Sequence, residues 1–180
     1  MGLFKYITMI CFALTLGSCS SFDRRSLPKA TQIQVFKAEH RMVLLNENTI
    51  IKEYKFRLGF APIGHKQFQG DGKTPEGQYY INRKNPNSRY YLSVGISYPN
   101  AADRAAANGK DPGGDIFIHG TPRIFQFMFK DWTWGCIAVS NRDIEEIYAM
   151  VDIGTTIRIF PYSGFLEPMT KVHQILPLSS

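Results

Sequence analysis

A mainly β fold with a few short helices is what this 180-residue sequence predicts, on three observations. Turn-forming residues are frequent, with Gly 15 and Pro 10. Short β-branched or apolar runs lie between those turns. Only two stretches carry a helical pattern. The chain is 44% hydrophobic and 13% aromatic, enough for the core of one domain. That composition excludes a disordered tail, a collagen-like fibre and a polytopic membrane protein. The net charge of +6 is mildly basic and favours solubility. No basic run exceeds two residues, such as Arg24-Arg25, and no nucleic-acid-binding motif is present. A nucleic-acid partner is therefore not expected, whereas a polyanionic cell envelope is compatible with the charge.

The elements follow in order. Gln32-Ile33-Gln34-Val35-Phe36 and Arg41-Met42-Val43-Leu44-Leu45 read as a hairpin, with the next strand or two in Thr49–Phe60. Gln78–Asn82, Tyr90–Ser97, Asp115–His119 and Thr155–Phe160 read as further short strands. Gly64–Gly72 and Asn108–Gly114, rich in Gly, Asp and Pro, read as loops. Asn85–Arg89 and Tyr90-Tyr91 fit either a loop on the substrate side or a surface turn. Ala101–Ala107 is a short helix candidate. Asn141–Val151 is the stronger one, because Ile144, Ile147, Tyr148 and Val151 share one face. Ser140 or Asn141 caps it, acidic residues sit near its N-terminal end, and Gly154 marks its exit.

The N-terminus has the pattern of a targeting segment. A short basic start at Lys5 precedes a mostly apolar run, Tyr6–Leu16, too short to span a membrane but long enough for a signal-peptide core. It ends in Leu16-Gly17-Ser18-Cys19, which resembles the bacterial lipobox. That resemblance implies a signal peptide over 1–18 and lipidation of Cys19 as the first mature residue. An ordinary secretory signal is the alternative. The Ser20-Ser21 that follows, with no Asp, leans toward the outer rather than the inner membrane. Residues 19–31 then read as a polar tether, 32–161 as the folded domain and 162–180 as a tail. With Cys11 removed and Cys19 blocked, Cys136 is left as the one free thiol, either a buried structural cysteine or a nucleophile.

The chemistry concentrates in two stretches. Ile116-Phe117-Ile118-His119-Gly120 places a histidine at the end of an apolar strand, and Gly120 lets the chain turn there. Asp131-Trp132-Thr133-Trp134-Gly135-Cys136-Ile137-Ala138 places the thiol just ahead of the longer helix. An imidazole can take the proton of a thiol and orient the thiolate. Gly135 lets a substrate carbonyl approach the backbone, and N–H groups around Gly135 and Cys136 are candidates for an oxyanion hole. Asp115 shares a strand face with His119 but is distant from it. A carbonyl of Gly120, Thr121 or Thr133 is the alternative orienter of the imidazole. Trp134, beside Gly135-Cys136, is expected in the site wall. Trp132, Phe125, Phe127 and Phe129 fit either a groove or the core. His40, His65 and His173 are expected to be solvated. No metal-ligand cluster appears in the sequence, and no cofactor is called for.

His119-Gly120 followed by Thr133-Trp134-Gly135-Cys136-Ile137 resembles the catalytic motif of the YkuD-type L,D-transpeptidases. Thr74-Pro75-Glu76-Gly77-Gln78-Tyr79-Tyr80-Ile81 is similar to that family's Thr-Pro-x-Gly strand, and Asn141-Arg142-Asp143 to the Asn-x-Asp that opens its helix. The resemblance implies a β-sandwich catalytic domain in the cell envelope, on the periplasmic side. It implies that Cys136 is the nucleophile and His119 the general base, with Gly120, Thr133, Trp134 and Gly135 forming the oxyanion site and wall. Cys136 would attack the carbonyl of the third residue of a peptidoglycan tetrapeptide stem and release D-Ala. The thioester would pass to an amine of another stem or of an envelope lipoprotein, or to water, and no metal or organic cofactor is needed. Two positions depart from the pattern. Trp134 stands where many members carry a second His, and Ala138 where many carry Arg. Arg123 is the nearest candidate cation for a substrate carboxylate, with Arg83, Arg89 and Arg104 unranked. The readings kept open are a transpeptidase, a hydrolase using the same site, and a peptidoglycan-binding lipoprotein without catalysis.

Overall fold

The structure is a computed structural model that describes residues 27–125, 127 and 130–166. The proposed signal peptide, Cys19, Phe129 and His173 lie outside the described residues. Eight strands and two helices follow in the order β1 (Gln32–Phe36), β2 (Arg41–Asn46), β3 (Thr49–Lys55), β4 (Gly77–Ser88), β5 (Tyr91–Ile96), α1 (Ala101–Ala106), β6 (Phe117–His119), β7 (Ile137–Ala138), α2 (Asn141–Met150) and β8 (Thr156–Phe160). The fold is mainly β, as expected. Among the described residues no helix is long and apolar enough to cross a membrane.

The strands run in the order β3-β2-β1-β8-β4-β5-β6-β7. The hairpin expected at residues 32–45 forms, with Ile33 opposite Leu44 and Val35 opposite Met42. What local pattern did not show is that β1 also pairs in parallel with β8, 120 or more residues later, Ile33 opposite Ile157. The long β4 joins two halves. Its Gly77–Tyr80 portion pairs with β8, and the part from Ile81 onward pairs with β5. Residues from both halves, such as Ile33, Leu44, Val94 and Ile118, meet in one core with Ile144, Ile147 and Met150 of α2. Each fully buried Ile or Leu there contributes roughly 1.5–3 kcal/mol.

The two ends of that strand order are themselves joined. Past β3, Arg57 bridges Ala138 of β7, with N–H···O bonds of 2.8 Å in both directions, and Gly59 pairs with Thr133. The sheet thus closes on itself beside the cysteine. Asn85–Ser88, expected as a loop or turn, instead belongs to β4. Pro86 has no N–H for a ladder, and the pairing is irregular between Asn85 and Ser88, where such a residue is tolerated. Ala30, at the end of the stretch read as a tether, is buried and its N–H donates to Met150 O at 2.8 Å. The α2 helix forms as its pattern predicts. Ser140 is the N-cap, its Oγ accepting from the Asp143 N–H at 3.1 Å, and Val151 is the C-cap.

Candidate active site

Strand alternation decides what surrounds Cys136. Lys84 of β4 donates to Tyr148 O and Val151 O, so the row Lys84, Val94, Ile118, Ile137 faces α2. The residues between them point the other way. That opposite face carries Phe117 and His119 of β6 and, flanking Ile137, Cys136 and Ala138. His119 and Cys136 therefore share one face of neighbouring parallel strands. The sheet separates α2 from the thiol.

His119, at the end of β6, is 3% exposed. The Tyr90 ring covers it at 4.4 Å between centroids, and Trp132 meets it edge-on at 5.8 Å. Phe125 stacks on Trp132 at 4.4 Å. Nδ1 of His119 donates to Gly120 O at 2.6 Å, which leaves Nε2 as the proton acceptor. Gly120 O is thus the orienter among the candidates, and Asp115 is not. Burial holds the imidazole below its ordinary pKa of 6.5, and the Gly120 carbonyl offsets part of that.

Cys136 Sγ donates to Asp115 O at 3.4 Å. Burial raises the thiol above its ordinary 9.0, the Phe117 N–H acts against that, the Asp115 carboxylate adds to it and Lys66 opposes it. At neutral pH the resting pair is a neutral thiol and a neutral imidazole. The loop before the cysteine is held locally. Thr133 Oγ1 donates to Cys136 O at 2.7 Å and accepts the Gly135 N–H at 3.2 Å. The Gly135 N–H is therefore engaged within the chain, which corrects its expected part in an oxyanion hole. Gly135 has φ +124°, and a Cβ there would lie 2.5 Å from Lys73 O. Glycine is required because the chain's own backbone fills that space. At Gly120 the reason is likewise close approach, since a Cβ would meet Asn141 Oδ1 at 2.5 Å.

Two cavities flank this arrangement. One, of about 560 Å³, is lined by Cys136 and Trp134 with Lys66, Gln69, Asp111 and Asp115. Trp134 is 68% exposed, rests against Phe60 and lines this cavity. Lys66 is buried in an ion pair with Asp71 at 2.8 Å, and Arg83 pairs with Asp115 at 2.6 Å. The other, also about 560 Å³, is lined by Lys55, Arg57, Trp132, Ala138, Arg142 and Asp143, among others. Arg123 lies exposed in a 3-10 turn and is not among the residues lining either cavity.

Sequence reasoning missed Lys66 and Arg57, each brought in by contacts distant in the chain, whereas Tyr90, expected in a loop on the substrate side or a surface turn, covers His119. The continuation of the β3 pattern to Phe60 was the one signal for Arg57. His40 and His65 are not simply solvated. His40 Nε2 lies 3.0 Å from both Asp131 carboxylate oxygens, and His65 accepts the Glu76 N–H at 3.0 Å while lying 3.3 Å from Asp103. Among the described residues no three His, Cys, Asp or Glu side chains gather as metal ligands do.

The fold and the site define a class: a mainly β domain with a thiol and a tautomer-fixed imidazole on one face of adjacent strands. The chain belongs to the YkuD family, matching its L,D-transpeptidase catalytic domain over residues 30–159. It is 34% identical over 158 residues to an Escherichia coli protein named "Putative L,D-transpeptidase YafK", covering 81% of this chain and 59% of that one. The helical cell shape determining protein Pgp2 from Campylobacter jejuni is similar in structure, with TM-score 0.60 and 29% identity, covering 73% of this chain and 48% of Pgp2. Bd1075 of Bdellovibrio bacteriovorus shares the fold, with TM-score 0.55 and 23% identity over 79% of this chain and 55% of Bd1075. The chain thus spans only about half to three-fifths of the length of these relatives.

Proposed function

We propose that this protein is a cysteine-dependent acyltransferase acting on peptidoglycan tetrapeptide stems. The observation that carries the reading is the pair of Cys136 and His119 on one sheet face, with His119 Nδ1 tied to Gly120 O and Nε2 left to accept a proton. The reaction requires the thiol to turn from Asp115 O toward Nε2. Sγ then attacks the peptide carbonyl as its proton passes to His119. The C–N bond to the terminal D-Ala breaks, the imidazolium returns the proton to the departing amine, and a thioester remains on Cys136. An amine of a second stem, or of an envelope lipoprotein, attacks that thioester to form a new amide and regenerate the thiol.

Membership of the YkuD family supports this chemistry, and the likeness to Pgp2 supports a part in cell-wall biogenesis and cell shape. The Leu16-Gly17-Ser18-Cys19 motif supports lipid anchoring at Cys19 and a place on the periplasmic side of the envelope, at the outer membrane. A second reading has support of its own. The cavity at Cys136 is lined by Lys66, Gln69, Asp111 and Asp115, polar groups that admit water to the thioester and favour hydrolysis.

Incubating purified disaccharide tetrapeptides with the protein and weighing the products by mass spectrometry tests both. Cross-linked dimers with released D-Ala are expected. Tripeptides alone would replace transfer by hydrolysis, and unchanged substrate would overturn both readings. Metabolic labelling with a fatty acid tests the anchor, and an unlabelled protein would overturn it.

A further inference from the structure

We propose that Lys66 is a catalytic residue of the acyl transfer, its ammonium donating to the oxygen that becomes negatively charged when Cys136 attacks a carbonyl. The proposal rests on the reading of Cys136 as the acylated residue and deepens it by naming the donor that such an attack needs.

The need is chemical. When a thiolate adds to a carbonyl carbon, the C=O electron pair moves onto oxygen, and a fixed donor aimed at that oxygen lowers the barrier. The Gly135 N–H is engaged by Thr133 Oγ1. The cavity that opens on Cys136 is lined by two carboxylates, Asp111 and Asp115, which repel an oxyanion, and by one cation, Lys66.

Lys66 has a donor to spare. An ammonium carries three N–H bonds. Two of them meet Asp71 Oδ1 at 2.8 Å and Phe68 O at 3.1 Å. The third has no acceptor among the described residues. The Lys66 side chain is only 3% exposed, so bulk water does little for that third N–H. The cavity it shares with Cys136 is its open side. A buried donor without an acceptor is costly, and an oxyanion formed in the cavity supplies one.

The surrounding loop holds the ammonium still. Asp71 takes N–H groups from Gln67, Phe68 and Lys73 at 2.8, 3.2 and 3.0 Å, so its charge is shared among four donors rather than spent on Lys66 alone. Lys37 Nζ clasps both ends of the loop, donating to Gly64 O at 2.6 Å and Thr74 O at 2.9 Å. Gln69 N–H donates to Asp111 O at 2.9 Å. The same loop packs Lys73 O against Gly135, directly before the thiol. A donor fixed in this way needs no reorganisation at the moment of reaction.

Lys66 transfers no proton in the step. The Sγ–C bond forms as the C=O pair moves to oxygen. The pair then returns, the C–N bond breaks, and the departing amine takes its proton from His119. The Lys66 hydrogen bond strengthens as charge gathers on the oxygen, and only that difference accelerates the reaction.

Two reactions of Cys136 in the full-length protein test this. A neutral thioester without a carboxylate acylates the sulfur by exchange, releasing a thiol and passing charge through the carbonyl oxygen. Iodoacetamide alkylates the same sulfur by displacing iodide from a saturated carbon, and its oxygen gains no charge. Both are followed by the mass of the Cys136 peptide. Each draws on the same thiolate, so the ratio of the two rates cancels any change in thiolate population. Lys66→Met is expected to lower that ratio by about 10²-fold, the scale of one oxyanion donor. Lys66→Arg should recover part of it. Lys66→Met with Asp71→Asn removes both charges of the buried pair and should show the same loss, which keeps the measurement open if the single variant does not fold. An unchanged ratio in a folded variant overturns the assignment, as does a wild type that is alkylated but never acylated. Turnover of stem tetrapeptides with an unchanged ratio sinks Lys66 and leaves Cys136 in place. A ratio that depends on Lys66 without tetrapeptide turnover keeps Lys66 as the donor and sinks the peptidoglycan reading.

Discussion

The two cavities near the cysteine have the same volume and linings of different charge. The one that opens on Cys136 is lined by two carboxylates, Asp111 and Asp115, and one cation, Lys66. The one beside β7 is lined by three cations and one carboxylate. In the first, Lys66 is matched by Asp71 below it and Asp115 by Arg83, so the field at the sulfur is nearly balanced. The second is the sheet's closing seam, where Arg57 is fixed by its backbone. The difference lies in what holds each lining: ion pairs between side chains beside the thiol, and backbone pairing of Arg57 with Ala138 at the seam.

The largest effect should come from the residue between the two cavities. Cys136→Ala should lower the rate of stem-peptide turnover by about four orders of magnitude or more, with binding retained. Product formation followed by mass spectrometry checks it, and near-normal turnover would return Cys136 to a structural role. His119→Ala should cost about 10²–10⁴-fold. Because burial lowers its pKa, the acid limb of kcat/KM should fall below pH 6.5, where the imidazole becomes protonated and unable to accept the thiol proton. A limb at or above that value contradicts the assignment.

The acidic side can be broken through its buried pair. Lys66→Met takes the cation from the buried Asp71 carboxylate, leaving it only its backbone N–H partners, and should destabilise the fold by up to about 3 kcal/mol in denaturant unfolding. Burial alone would raise the Asp71 pKa. The N–H groups of Gln67, Phe68 and Lys73, together with the Lys66 ammonium, outweigh it and hold the carboxyl below its ordinary 3.8. That stabilisation is present above the unfolded value and is lost as pH falls through the folded one. The smallest effect should be Asp115→Asn, which removes a negative charge that raises the Cys136 pKa. The pH midpoint for alkylation by iodoacetamide should move down. In Lys66→Met, wherever the fold survives, it should move up, and shifts of the same sign in both variants would refute the balanced-field account.

Cys136, His119, α2 and the first hairpin were legible because each rests on neighbours in the chain. An apolar strand ends at His119-Gly120, Gly135 precedes the thiol, and Ile144 and Ile147 lie at helical spacing behind a Ser cap. Hydrophobic period and turn chemistry are local, so a linear reading recovers them. The reasons behind two glycines were not local. Gly135 makes room for Lys73 O and Gly120 for Asn141 Oδ1, contacts that the sequence around each residue does not contain.

By itself, then, the sequence determined which side chains are the candidates for chemistry and which segments are strand or helix. Tertiary structure decided what surrounds them. Parallel pairing of β1 with β8 and of β6 with β7, and the meeting of Arg57 with Ala138, join residues 19 to 124 positions apart. Those pairings settle which way Cys136 faces, that Tyr90 and Trp132 enclose His119, and that an arginine stands beside Ala138. Pairing partners are selected by the burial of a shared core, which sums over the whole chain. No window of sequence around any one residue records that sum.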